Sequence, residues 1–206
     1  MSALLKNSIL KELNSINWDQ EDSDVNSDFA FQAIIDGIYN YMNDSSNITF
    51  TGVYSGLQLT PIPTPITGTT THALSIINTT WLDIFKTIVR SGVAIGGIQR
   101  IFLGINMMLL GTVLATLESA TLFTTIVPPS GTPIMPIVFP SITSFGEPCN
   151  IEIQSRKPDT KEKAWEIIAK YIHLGLSINV VPPIPFTGST VVAPAVATTI
   201  PLLVFK

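Results

Sequence analysis

Pro63-Thr-Pro-Ile-Thr-Gly-Thr-Thr70 and Pro183-Ile-Pro-Phe-Thr-Gly-Ser-Thr190 are two copies of one string, P-x-P-x-T-G-[TS]-T, placed 120 residues apart. Each follows an amphipathic stretch of helical period, Phe31 to Met42 before the first and Trp165 to Ile172 before the second. Self-similarity at this scale is the mark of a duplicated supersecondary unit. Proline fixes φ and restricts the residue before it, so both strings read as extended connectors ending in a turn. Two copies then imply two equivalent docking edges on one chain.

The helical part of the unit recurs three times, as Phe31-Gln-Ala-Ile-Ile-Asp-Gly-Ile38, Trp81-Leu-Asp-Ile-Phe-Lys-Thr-Ile88 and Trp165-Glu-Ile-Ile-Ala-Lys-Tyr-Ile172. Apolar residues at i, i+3, i+4 and i+7 lie on one helical face. The middle copy lacks the T-G-T ending and is followed by Pro128-Pro-Ser-Gly-Thr-Pro133 only after a long apolar insertion. Further helices are expected at 2–16, with Leu5, Ile9, Leu13 and Ile16 on one face, and from Gly92 to Leu117 as a bent continuation of the Trp81 helix. Thr80-x-x-Asp83 and Asp159-x-x-Glu162 resemble capping boxes, and Gly175 suits a C-cap. Asn47 to Leu59 reads as a strand pair turning at Gly52 or Gly56, and the period-two run Cys149-Asn-Ile-Glu-Ile-Gln-Ser155 gives the clearest strand signal. The fold class expected is mainly α: amphipathic helices joined by extended Pro/Thr-rich segments, with a small β element around 47–59, 149–154 and 178–181. The alternative is an α+β fold with an internal duplication. Four segments follow, 1–27, 28–71, 72–148 and 149–206, within one compact domain.

Composition narrows the function. The chain has 206 residues, is 46% hydrophobic and carries only 13% charged residues, about half the usual share. No Asp, Glu, Lys or Arg occurs in 45–82, 101–117, 119–146 or 171–205. Long uncharged stretches of this kind call for cover by neighbouring subunits or a membrane. The net charge of −4 and the acidic first 45 residues argue against nucleic acid. A single cysteine, Cys149, forms no intrachain disulfide and suits a reducing compartment.

Catalytic groups are sparse. His72, His173 and Cys149 stand without a nucleophile signature around them, and no Cys/His cluster has metal-ligand spacing. Asp22-Ser-Asp-Val-Asn-Ser-Asp28 alternates oxygen ligands like the start of a calcium loop, but Ser27 and Ala33 replace the required Gly and Glu, so a solvated acidic linker is expected. No enzyme, cofactor or metal is expected. Gly97, Gly104 and Gly111 recur every seven residues and would form a smooth helical seam for a second helix, with Gly92 and Gly96 as a further G-x-x-x-G. The 17 uncharged residues from Ile101 to Leu117 fall short of a membrane span, which needs about 20. A span or pore helix near 92–117 is the alternative reading.

The stretch from Trp165 to Thr190, and more weakly that from Phe31 to Thr70, resembles small virion structural proteins of tailed bacteriophages, notably contractile-tailed ones. That resemblance implies a non-enzymatic subunit present in many copies on a head, neck, tail or baseplate, assembled in the host cytoplasm with copies of itself and other virion proteins. Interface candidates are Pro63, Pro65, Gly68, Gly97, Gly104, Gly111, Pro183, Pro185, Phe186, Gly188, Leu202 and Phe205. Loss of residues 191–206 is expected to abolish assembly while sparing helix content.

Overall fold

Phe31, Trp81 and Trp165 each lead a helix whose apolar stripe faces inward. They lie in α2 (Ser23–Asn43), α3 (Trp81–Arg90) and α6 (Lys161–Ser177) of a computed structural model that describes residues 2–16, 23–60, 62–91, 96–127 and 135–206. Ile34, Ile35 and Ile38, then Trp81 and Phe85, then Ile168, Ala169 and Ile172 are buried from these stripes. Helix α1 (Ser2–Asn14) adds Leu5, Ile9 and Leu13 to the same core. Helix α4 (Gly97–Leu109) follows α3, and α5 (Gly146–Arg156) precedes α6.

The mainly-α expectation is overturned by a seven-stranded antiparallel sheet, so the fold is α+β. Its strands are β1 (Ile48–Gln58), β2 (Thr64–Ile76), β3 (Val113–Ala120), β4 (Phe123–Val127), β5 (Met135–Pro136), β6 (Ile184–Thr190) and β7 (Pro194–Phe205), in the spatial order β4-β6-β7-β1-β2-β3-β5. Within Asn47 to Leu59 the chain forms the single long strand β1, with no turn at Gly52 or Gly56. Both Pro-Thr-Gly strings are strands rather than connectors: the first opens β2 and the second forms β6.

Chain connectivity forces the sheet to curl. Only Thr121 and Leu122 separate β3 from β4, so their ends lie within about 11 Å of each other. In a flat sheet the two strands would stand five spacings apart, about 24 Å. The sheet therefore wraps into an open half-barrel, and Tyr54, Ala120, Phe186 and Ala197 fill the inside of the curl as a small second core. The larger core lies between the helices and the other half of the sheet, where Phe50, Ile184, Leu203 and Phe205 point at them.

Proline placement explains how P-x-P can sit in a strand. Thr69 N–H and C=O both bond Thr121, on the side away from β1. Backbone groups alternate sides along a strand, so Pro65 also faces away from β1, and its missing N–H removes no bond of the β1–β2 ladder. In β6, Thr190 N–H bonds Ala193 O in the hairpin to β7, so by the same alternation Pro185 faces away from β7. In both copies the T-G-[TS]-T end continues the ladder outward, to Ala120–Thr121 in one and to β4 in the other, while the P-x-P end stops it. The two strings share a rule for ending an edge.

Other expectations need revision. Cys149 to Ser155 is helical: Pro148 falls in the first turn of α5, where a missing N–H costs nothing, and Cys149 and Ile153 share the inward face. The apolar run from Gly97 to Leu117 divides into α4 and β3, with Gly111 at φ +71° in the turn between them. Gly97, Gly104 and Gly111 therefore form no seam. Only Gly104 marks a close approach, since an added Cβ would lie 2.8 Å from the Phe85 ring. Gly175 is interior to α6 against Ile142, and the 178–181 element is a single bridge, Val138 to Val180. Thr80 is the N-cap of α3 without a side-chain capping bond. The cap of α6 is Thr160, whose hydroxyl accepts from Lys163 N–H at 3.3 Å. Thr160→Ala is expected to cost about 1 kcal/mol, read as a lower urea midpoint with unchanged slope. Pro128 to Pro133 and Gly92 lie outside the described residues.

Candidate functional site

His72 is 6% exposed on the inner face of β2, under the Phe50 ring. A chain of short contacts leaves it: His72 Nε2 to Thr70 Oγ1 at 2.8 Å, Thr70 Oγ1 to Thr199 Oγ1 at 2.7 Å, and Thr199 Oγ1 to Val53 O at 3.3 Å. A carbonyl only accepts, so Thr199 donates to Val53, Thr70 donates to Thr199, and His72 donates Nε2–H to Thr70. Nδ1 is then a bare acceptor, buried without a partner, and burial pushes the His72 pKa down to about 4. The layer lies between the two apolar cores. It contains no nucleophile for an imidazole to activate other than two threonines already committed to each other.

His173 makes its side-chain hydrogen bond to Tyr41 and none to Cys149. Tyr41 Oη donates to Lys206 O at 2.7 Å and so accepts from His173 Nδ1–H at 3.0 Å. Burial lowers the His173 pKa and raises that of Tyr41 to about 12. The Cys149 thiol is buried, and desolvation, reinforced by the Glu152 carboxylate, raises its pKa to about 12. Such a thiol is inert.

Charged side chains serve as staples. Glu152 accepts from Lys170 at 2.6 Å and Tyr171 at 2.7 Å, and pairs with Arg156 at 2.9 Å; the Lys170 bond leads in lowering its pKa. Glu152, Arg156 and Lys170 line a cavity of about 640 Å³ between α5 and α6 whose walls carry both acids and bases. Asp28 pairs with Lys86 and Arg90, each at 2.6 Å. From Ser23 onward the supposed calcium stretch is helix α2; Asp22 and the side chains of 23–26 lie outside the described residues. Among the described residues no group of three His, Cys, Asp or Glu is placed to hold a metal.

The outer face of the sheet has the opposite chemistry. Along β7, Ala195, Ala197, Thr199, Leu203 and Phe205 are buried while Val196, Thr198, Ile200, Leu202 and Val204 are exposed. On β1 the exposed set is Thr49, Thr51, Val53, Ser55 and Leu57. Val53 sits opposite Ile200, Thr51 opposite Leu202 and Leu57 opposite Val196. The crest of the curl is thus a double row of aliphatic and hydroxyl side chains without a charge, flanked by Thr67, Thr69 and Thr71 on β2 and by Pro185 and Thr187 on β6. Val53, Ile200 and Leu202 are 61%, 63% and 62% exposed. Beyond the crest, the β1–β2, β3–β4 and β6–β7 turns expose Ile62, Leu122, Val191 and Val192.

Of the sequence candidates, Pro63, Pro65, Pro183, Pro185, Leu202, Gly97 and Gly111 are exposed, with Leu202 on the crest and Pro185 beside it. Gly68 and Gly188 are half-buried against Thr121 with Tyr54 and against Thr125 with Phe123. Gly104, Phe186 and Phe205 are interior. Sequence reasoning missed Val53 and Val196. Because β7 carries apolar side chains on both faces, its alternation is invisible, and only the absence of charge pointed there. No family model, curated protein or solved structure matches the chain.

Proposed function

We propose that the chain is a non-enzymatic structural subunit that assembles in many copies, covering its uncharged sheet face with copies of itself. The observation that carries this reading is the crest of β1 and β7. Its six aliphatic side chains, Val53, Leu57, Val196, Ile200, Leu202 and Val204, together expose the equivalent of about three whole residues. Burying them contributes about 5–9 kcal/mol per copy. Supplied from both sides of a self-contact, that rivals the roughly 4–15 kcal/mol lost on association. A charged partner surface would have to shed its water against this face with no counter-charge in return. A second copy meets the face with matching chemistry. A tailed-phage virion is the particle that the resemblance of Trp165–Thr190 supports.

Among the described residues no helix is long and apolar enough to cross a membrane. Sedimentation of the protein in detergent-free buffer tests the proposal. The expected result is a soluble assembly at a multiple of the 22.3 kDa chain mass. A single-chain mass at every concentration, or material recovered only with detergent, would overturn it.

A further inference from the structure

We propose that two copies of the chain meet crest to crest across a two-fold axis that crosses β1 and β7 between the rows Ser55–Thr198 and Val53–Ile200. This rests on the self-assembly reading above and gives it a geometry. Ridge and groove lie next to each other on the same two strands. The ridge is Val53, Ile200 and Leu202. The groove is a shallow cavity of about 350 Å³ walled by Ser55, Leu57, Pro185, Thr187, Val196 and Thr198, with the backbone of Gly56 and Ala197 as its floor. Leu202 and Val196 each stand three residues from the axis, about 10 Å at the rise of a strand. A half-turn about that axis therefore sets Leu202 of one copy over Val196 of the other, and Thr51 over Leu57, twice each by symmetry.

At Gly56 and Ala197 the groove floor is backbone alone, since the Ala197 methyl points to the inside of the curl, and the facing Leu202 settles against Val196 at its border. Packed sheets stand about 10 Å apart with strands within about 30° of alignment, a spacing at which side chains from both faces interdigitate. No charge is buried anywhere in the contact. Ridge and groove of both copies are consumed in one closed pair, so growth to a larger particle uses a different surface, the apolar turns at Ile62, Leu122 and Val191.

Charge complementation tests the register. Leu202→Glu alone, and Val196→Lys alone, each set a charge into the apolar contact twice per pair and weaken association on the order of a hundredfold. An equimolar mixture of the two variants restores the two-chain species, because its hetero-pair holds one Glu–Lys contact and one native contact. Thr51→Glu with Leu57→Lys repeats the test on β1 through independent side chains. All four positions are exposed, and near-ultraviolet circular dichroism confirms the fold of each variant. Single variants that still pair would leave self-assembly standing but remove the crest from it, overturning this proposal. Variants that separate but fail to recover on mixing would overturn the two-fold register. A wild-type chain that never associates would overturn both this geometry and the reading beneath it.

Discussion

Deletion of residues 191–206 is expected to leave no cooperatively folded protein. The deleted segment contains β7, which is central in the sheet, paired with β1 from Ala195 to Phe205 on one side and with β6 from Pro194 to Thr199 on the other. Its loss would strip partners from Phe50, Tyr54 and Ile184 and remove Leu203 and Phe205 from the main core. A single large-to-small change at such a buried site costs about 2–5 kcal/mol. Losing both side chains costs about 4–10 kcal/mol, and the lost ladders of a central strand add to that, against the roughly 5–15 kcal/mol that holds a whole domain together. Far-ultraviolet circular dichroism during urea titration should show no sigmoidal transition, and helix content should fall along with strand content. A truncated chain that unfolded cooperatively with native helicity would mean that the helices fold without the sheet. The sequence-based expectation that loss of 191–206 spares helix content is replaced, because β7 lies in the middle of the sheet.

The helices were legible because a 3.6-residue apolar stripe survives any sequence context. Phe31, Trp81 and Trp165 each start such a stripe, and each stripe is buried. The sheet was not legible, for three physical reasons. Strands β1 and β2 carry Gly52, Gly56, Gly68 and Pro65, residues that ordinarily weaken a strand. Here the tight curl needs small residues, and Pro65 spends its missing N–H on an edge that stops pairing. Strand β7 is apolar on both faces, so period two disappears. Strand β3 follows α4 inside one apolar run and is separated from it only by the three-residue turn Leu110, Gly111 and Thr112. The misreading of Cys149–Ser155 has the converse origin: Ile151 is exposed, so its alternation with Cys149 and Ile153 is accidental, while the i, i+4 pair is the structural one. The uncharged segments pointed to surfaces that need cover, but the crest emerges only once β1 and β7 are seen side by side.

Acid should destabilise the protein through His72, and the sign follows from its surroundings. The ring packs against Phe50 and donates to Thr70, while Nδ1 is buried with no acceptor to receive a second proton's bond. Glu118, the extra residue at the β2–β3 irregularity, lines the cavity beside His72 but remains exposed to solvent. Desolvation therefore dominates and holds the folded-state pKa near 4, against an ordinary value of 6.5. Between those two pH values the unfolded chain binds a proton that the folded chain refuses, so stability falls as pH drops from about 6.5 to about 4 and changes little with this group outside that window. The full loss is about 3 kcal/mol. His173, also depressed by burial, titrates in the same direction, so wild type must be compared with a variant. His72→Leu removes the titrating ring and the orphaned Nδ1 while leaving the bond from Thr70 to Thr199 intact. Urea unfolding at pH 7 and near pH 4.5 should show a smaller drop in the variant, by about 2–3 kcal/mol. Equal drops in both proteins would show that His72 takes up its proton as readily folded as unfolded, and that the polar layer between the two cores admits water.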